Sequence, residues 1–228
     1  MIRKILALFD IDGTLVRGFK GHNKAFSEGF KKVYGVDATV HATNTQGMTE
    51  QQVIIEVLKN KGLSEKEIMS KIEECMRVMI DYFKKIIATD EIILLDGVQE
   101  LLRQLMNNDI LMGLVTGNLK PIGKAKLGKV NVDHYFKIGG FGNDDIDRAN
   151  LVRLAIKRAK KYYGFQFNNN VFLFGDAPQD MKAGKEVGVK TIGVATGVYS
   201  KQRLKNVGAD FVLKNLKNTE KILKIIRG

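Results

Sequence analysis

Short apolar runs that each end at a polar residue constrain the fold of this chain more than any other feature of its sequence. The clearest three are Lys4–Phe9 before Asp10, Ile110–Val115 before Thr116, and Val171–Phe174 before Gly175 and Asp176. Each run has the length of a buried strand, and amphipathic helical patterns separate the runs. Strands that alternate with helices predict a parallel sheet covered on both faces, with ligands beyond the carboxyl ends of the strands.

Residues 17–90 have a different pattern, in which apolar residues recur at helical spacing without a strand-like run. Ser64 and Glu67 form a capping-box signature at the start of one such helix. We therefore predict an α/β protein with a Rossmann-like parallel-sheet core, formed by residues 1–16 and 91–228, and an inserted α-helical cap domain over 17–90. Three further strands are predicted in the core, at Tyr135–Ile138, Lys190–Val194 and Phe211–Leu213.

The composition narrows the class of partner. The net charge is +12, but the basic residues are interleaved with Asp and Glu, so we expect no nucleic-acid partner. A single cysteine, Cys75, excludes an internal disulfide and a Cys-rich zinc site. Because no apolar run reaches the roughly 18 residues of a membrane span, and because the first apolar run is too short for a signal peptide, we expect a cytoplasmic protein with no membrane partner. A monomer or a homodimer is expected.

Two aspartates separated by one residue, Asp10 and Asp12, follow the first predicted strand directly. Two like charges in one loop are unfavourable without a cation, and a hard divalent ion with oxygen ligands would relieve the repulsion. Gly13 permits a tight turn that brings the loop backbone close to a ligand. Asp176 is delivered to the same edge of the sheet and would complete the metal site, and Asp180 would support it from one helical turn further on.

The segment Thr116-Gly117-Asn118 also follows a predicted strand. A hydroxyl followed by free backbone amides at the start of a helix can cradle a phosphate group. Taken alone, this segment is also an ordinary strand-to-helix turn.

Taken together and in order, these segments resemble the haloacid dehalogenase superfamily of phosphatases. The resemblance rests on an Asp-x-Asp-Gly-Thr-Leu motif, a strand ending in Thr, a basic residue and a Gly-Asp-x-x-x-Asp motif, and it extends from residue 5 to about residue 213. Within the superfamily the chain looks like the phosphoglycolate phosphatase and β-phosphoglucomutase branch. Residues 17–90 lie where this branch carries its helical cap.

The resemblance implies a role for each motif. Asp10 would be the nucleophile that forms an aspartyl-phosphate, and Asp12 would be the general acid and base. Mg²⁺ would be bound by Asp10, the backbone carbonyl of Asp12 and Asp176, with Asp180 in support. The phosphoryl oxygens would be bound by Thr116, Gly117 and Asn118. The expected reaction is hydrolysis of a small phosphorylated metabolite, such as phosphoglycolate or a sugar phosphate.

The third motif departs from the family pattern, in which a Lys usually pairs with the nucleophile. Arg148 stands just before the helix that precedes the fourth motif, and it resembles family members with Arg in this role. Lys157 and Lys160 are the alternatives.

The predicted cap is expected to choose the substrate. His22 and Thr49 are predicted to bind substrate, although His22 could instead face solvent at a helix N-terminus. Other candidates are Arg17, Lys20, Lys24 and the turn Gln46–Thr49. Two other functions stay open at this point: a phosphosugar mutase, and a non-catalytic binding protein that keeps the fold.

Overall fold

The structure, a computed structural model, describes residues 5–18, 20–40, 45 and 47–228. Lys4, where the first apolar run begins, and Gln46 of the predicted substrate-binding turn lie outside the described residues. The strands are β1 Leu6–Phe9, β2 Val16–Arg17, β3 Ile93–Leu94, β4 Leu111–Thr116, β5 Ile138–Phe141, β6 Val171–Gly175, β7 Lys190–Val194 and β8 Phe211–Leu213. The helices are α1 Lys20–Tyr34, α2 Glu50–Lys59, α3 Glu65–Ile86, α4 Val98–Asn107, α5 Lys120–Lys129, α6 Arg148–Tyr163, α7 Pro178–Val187, α8 Lys201–Asn206 and α9 Thr219–Arg227.

The central sheet has the strand order β5-β4-β1-β6-β7-β8, and all its pairings are parallel. Leu6 of β1 is in register with Leu111 of β4 on one side and with Val171 of β6 on the other. All four residues of β1 are fully buried, as expected for a central strand covered on both faces. The predicted Rossmann-like α/β fold is confirmed. The three strands with a polar residue at or just after their carboxyl end, β4, β1 and β6, are neighbours in the sheet.

Helices α1, α2 and α3 form an insertion between β2 and β3, and we use the word insertion for this segment below. β2 and β3 pair antiparallel where the chain leaves and re-enters the core, with Val16 opposite Leu94. The sequence analysis did not predict this two-stranded sheet. The capping boxes of Thr49 with Gln52 and of Ser64 with Glu67 start α2 and α3.

The strand predicted at Tyr135–Ile138 is wrongly placed. A short 3-10 turn occupies Asp133–Tyr135, and the strand itself, β5, begins at Ile138. The error arises because β5 contains Gly139 and Gly140, which weaken an apolar pattern. A Cβ atom on Gly140 would lie 2.2 Å from the backbone oxygen of Leu151, so the close packing of α6 on β5 requires a glycine there.

None of the helices in the described part of the chain combines the length and the apolar character that crossing a membrane requires.

The packing of α6 on β5 predicts opposite effects for two Gly-to-Ala changes. Gly140→Ala should lower the free energy of unfolding by about 1–3 kcal/mol, because the new methyl group meets backbone atoms that cannot move away easily. Gly128→Ala should raise it by about 0.5–1 kcal/mol, because Gly128 is an exposed residue of α5 with open space around it. Urea denaturation measures the free energy of unfolding of both variants. A Gly140→Ala variant as stable as wild type would contradict the described packing of α6 on β5.

Candidate active site

The carboxyl ends of β4, β1 and β6 bring three predicted site residues to one edge of the sheet. Thr116 ends β4, Asp10 follows β1 and Asp176 follows β6. The backbone N–H of Asp10 donates a hydrogen bond of 2.9 Å to the carbonyl of Phe174, which extends the strand pairing up to the site. All three residues are buried.

Asp10, Asp176 and Asp180 form a buried acidic cluster. One carboxylate oxygen from each lies within 4.8 Å of the others, a spacing that suits a shared cation. Burial raises the pKa of Asp10 to about 7, since the nearby Arg148 only partly offsets the burial and the charges of Asp180 and Asp12 add to it. Burial and the charges of Asp10 and Asp180 also raise the pKa of Asp176 well above its ordinary value. The cluster therefore holds more negative charge than its own surroundings stabilise at neutral pH.

Two glycines make room for the Asp176 carboxylate. A Cβ atom on Gly13 would lie 2.4 Å from Asp176 Oδ2, and one on Gly197 would lie 1.7 Å from the same oxygen. Gly13 also has a φ of +79°, in the left-handed region that glycine adopts readily. The hydroxyl of Thr14 donates to Asp176 Oδ1 at 3.4 Å. The loop after β1 is thus shaped around the carboxylate delivered by β6.

Arg148, the first residue of α6, supplies a cation beside this cluster. Its Nη1 donates to Asp180 Oδ1 at 2.6 Å and lies 3.6 Å from Asp10 Oδ1. The second oxygen of Asp180 accepts from the backbone N–H of Ala177 at 3.1 Å, so Asp180 orients the guanidinium. The alternatives Lys157 and Lys160 are exposed residues of the same helix.

Thr116 and Asn118 lie on the other side of Asp10. The Thr116 hydroxyl oxygen accepts from the backbone N–H of Asn118 at 3.3 Å and from its side-chain Nδ2 at 2.8 Å. With both of these bonds accepted, the hydroxyl hydrogen is left to point towards a ligand. Gly117 contacts the insertion, because a Cβ there would lie 2.4 Å from the carbonyl oxygen of Met48.

Sequence reasoning missed Lys126, a fully buried residue of α5. Its Nζ donates to both oxygens of Asp12, at 2.6 and 2.8 Å, and to Asn118 Oδ1 at 2.8 Å. Burial of the Asp12 carboxyl acts to raise its pKa, but the charge of Lys126 and the hydrogen bonds from Lys126 and Asn118 outweigh that effect, and the net pKa is lowered. One signal was available: Leu119, Ile122 and Lys126 share the buried face of their helical segment, where a lysine is unusual.

His22, on α1, is buried rather than solvent-facing. Its Nδ1 lies 3.0 Å from Lys126 Nζ, and its Nε2 lies 2.9 Å from Glu50 Oε1, although off the line of a good hydrogen bond. Glu50, also missed from the sequence, accepts from the backbone N–H of Leu119 at 3.0 Å. Its own N–H donates to the carbonyl of Gly117 at 2.9 Å. Glu50 thereby holds the insertion against the turn after β4.

Thr49 has a structural task in this arrangement. It is the N-cap of α2, where its hydroxyl oxygen accepts from the backbone N–H of Gln52, and the same hydroxyl donates to the carbonyl of Ile146 at 3.3 Å. Its predicted contact with substrate stays a prediction, and this geometry does not favour it.

A cavity of about 620 Å³ lies between the insertion and the core. Its floor carries Asp10, Asp12, Thr116 and Arg148, and its roof includes Phe26 and other residues of the insertion. Arg17 also lines the cavity and donates to the carbonyl of Thr196 at 2.9 Å. Lys20 and Lys24 are exposed and lie outside this lining.

The fold and the site together define a Rossmann-like α/β protein with an acidic centre at the carboxyl edge of its sheet. The chain belongs to the haloacid dehalogenase-like hydrolase family, whose sequence model matches residues 7–194. This match confirms the family predicted from the motifs.

Individual relatives are more distant. The chain is 27% identical to 2-deoxyglucose-6-phosphate phosphatase 1 of Saccharomyces cerevisiae, over 92% of this chain and 87% of that protein. It is 25% identical to the pyrophosphatase PpaX of Listeria innocua, over 96% of this chain and 95% of that one. A solved structure provisionally assigned as a β-phosphoglucomutase from Bacteroides vulgatus is 22% identical, with a TM-score of 0.71 over 99% of this chain and 90% of that chain. At this identity the structural likeness shows the fold alone.

The acidic cluster predicts how stability changes with pH in EDTA. Because folding raises the pKa of Asp10 from 3.8 to about 7, the folded state binds more protons than the unfolded state in this window. Stability from this source is therefore present below about pH 4 and is lost as the pH rises through about 7. Asp10→Asn should gain stability relative to wild type, on the order of 1–3 kcal/mol, at pH 8 but not at pH 4.

Urea denaturation at the two pH values measures this difference. Asp81→Asn, on the exposed side of α3, is the matched control and should show the same small offset at both. An Asp10→Asn offset that does not change with pH would contradict the charge crowding.

Proposed function

We propose that this protein is a Mg²⁺-dependent phosphatase that hydrolyses small phosphate monoesters through an aspartyl-phosphate on Asp10. The observation that carries the proposal is the position of Asp10 at the end of the central strand. There its carboxylate lies beside Arg148, at 3.6 Å, and within 4.8 Å of two further carboxylates. A nucleophile, a cation for the phosphoryl group and a place for a metal ion thus occur together on the floor of one cavity.

In the first half of the reaction, a carboxylate oxygen of Asp10 attacks phosphorus as the bond from phosphorus to the ester oxygen breaks. Asp12 donates a proton to the departing oxygen, which leaves as an alcohol. Lys126 lowers the pKa of Asp12, and the negative charge of a bound phosphate would act in the opposite direction and favour its protonated form.

In the second half, Asp12 accepts a proton from a water molecule as the water oxygen attacks the phosphorus of the aspartyl-phosphate. This attack releases inorganic phosphate, regenerates the Asp10 carboxylate and leaves Asp12 protonated for the next cycle. Thr116 would donate its hydroxyl hydrogen to a phosphoryl oxygen, and Arg148 and the amide of Gly117 would bind others. The side chain of Asn118 is engaged with Thr116, Asp12 and Lys126, so it would act by ordering these groups.

The residues present fit a divalent cation. Asp10 and Asp176 would hold Mg²⁺ through carboxylate oxygens and Asp12 through its backbone carbonyl, and the excess negative charge of the cluster calls for such an ion. When bound, the ion supplies charge neutralisation for the transferred phosphoryl group. Asp180 would support the site chiefly by holding Arg148.

We assign the insertion, residues 17–90 in the predicted boundaries, the role of a cap that selects the substrate. The cavity of about 620 Å³ has the capacity for a molecule of the size of a sugar phosphate. His22 and Arg17 both line the cavity. We assign His22 to Lys126, whose Nζ lies 3.0 Å from its Nδ1, and Arg17 to an anionic leaving group. We propose that the substrate is a small phosphorylated metabolite. We also propose that the protein acts in the cytoplasm as a monomer or a homodimer.

The direct test is phosphate release from p-nitrophenyl phosphate, phosphoglycolate, 2-deoxyglucose 6-phosphate, β-glucose 1-phosphate and pyrophosphate, with Mg²⁺ or with EDTA. We expect turnover with Mg²⁺, at least a 100-fold loss in EDTA, and a loss of 10³-fold or more in Asp10→Asn, which removes the nucleophile. Asp81→Asn should retain wild-type activity.

Turnover that survives in Asp10→Asn would contradict the aspartyl-phosphate route. Conversion of β-glucose 1-phosphate to the 6-phosphate without phosphate release would favour the mutase. The absence of turnover of every substrate in the panel by folded, Mg²⁺-loaded protein would favour a non-catalytic binding protein.

A further inference from the structure

A line of buried polar side chains runs from the insertion into the core and ends at Asp12. Glu50 Oε1 lies 2.9 Å from His22 Nε2, His22 Nδ1 lies 3.0 Å from Lys126 Nζ, and Lys126 Nζ lies 2.6 Å from Asp12 Oδ2. Three of these four side chains are almost completely buried, and the Asp12 side chain is 25% exposed towards the cavity. The exposed end of the line is therefore the carboxylate that faces the reaction.

Lys126 is the key member, because a buried ammonium group is costly unless its hydrogens are bonded. Its Nζ has acceptors on Asp12, Asn118 and His22, in three different segments of the chain. Asn118 in turn donates from Nδ2 to the same oxygen of Asp12, at 2.8 Å. The Asp12 carboxylate is thus gripped from two sides, while Lys126 itself is absent from the cavity lining.

The insertion supplies the support behind Lys126. Because an ammonium group only donates, His22 Nδ1 must accept, which leaves the ring hydrogen of the neutral imidazole on Nε2 towards Glu50. Glu50 is fixed in turn by Leu119 and Gly117, which flank the turn after β4. The orientation of Asp12 accordingly depends on residues of the insertion as well as on residues of the core.

We propose that Lys126 is a positioning residue for Asp12, and that His22 and Glu50 hold Lys126 in place, so that the Asp12 carboxyl meets the leaving oxygen. This inference rests on the proposed function, in which Asp12 protonates that oxygen. It assigns Lys126 no contact with the phosphoryl group, which Arg148 and Thr116 bind instead.

The proposal predicts a dependence on the leaving group that a merely structural role would not produce. An alkyl phosphate needs a proton on its departing oxygen, whereas p-nitrophenolate leaves readily without one. In Lys126→Met, kcat/KM should fall about 100-fold or more for the fastest alkyl monoester of the panel. For p-nitrophenyl phosphate it should fall less than about 5-fold. Lys124→Met, at an exposed position of α5, should leave both values unchanged.

Two further variants keep the test decisive if Lys126→Met does not fold. His22→Gln and Glu50→Gln should show the same selective loss for the alkyl ester at a smaller size, about 10-fold. Equal losses of kcat/KM for both esters in the folded variants would overturn the proposal and would show that these residues have only a structural role.

Asp12→Asn distinguishes a failure of the inference about Lys126 from a failure of the proposed acid role of Asp12. If it shows the selective loss and the Lys126, His22 and Glu50 variants do not, the inference about Lys126 fails and the proposed function stands. If Asp12→Asn itself treats both esters alike, or if the wild type turns over neither, the acid role of Asp12 fails and the inference fails with it.

Discussion

Three buried carboxylates, from Asp10, Asp176 and Asp180, crowd one edge of the parallel sheet and determine which charges must surround them. Adjacent strands β1 and β6 deliver Asp10 and Asp176 to the same buried place, with Asp180 one turn along α7. Burial and mutual repulsion disfavour the charged forms of these carboxyl groups, so the site requires compensating positive charge close by. Arg148 supplies part of it from the start of α6, and the remaining imbalance is what a divalent cation would neutralise.

The same need for compensation ties the insertion to the core. Asp12 is balanced by Lys126, and that buried lysine needs acceptors, of which one comes from His22 in the insertion. Glu50 then fixes the insertion to the turn that follows β4. The helices of the insertion therefore do more than cover the cavity, because His22 on α1 contacts the lysine that pairs with Asp12. If the proposed function holds, substrate selection and proton transfer share these contacts.

The grouping of three polar residues at one sheet edge could be predicted because its signals are local. An apolar run followed by a carboxylate or a threonine marks a strand end, and parallel strands bring such ends together, so Asp10, Thr116 and Asp176 could be grouped without coordinates. Lys126 and Glu50 were not predicted because each is one charged residue among many, and only the packing of α5 against the insertion shows which lysine is buried. β5 was misplaced because its two glycines serve a close helix contact that no periodicity shows.

The chemical identity of the intermediate decides whether Asp10 is the nucleophile. The protein would be mixed with p-nitrophenyl phosphate and Mg²⁺, quenched in acid within milliseconds, digested and mapped by mass spectrometry. Asp12→Asn, which lacks the carboxyl group proposed to activate water, should accumulate more of the intermediate than wild type. We expect one phosphoryl group, on Asp10, in the peptide that contains the end of the central strand β1. A phosphoryl group at another residue, or turnover without any phosphorylated peptide in either protein, would contradict it.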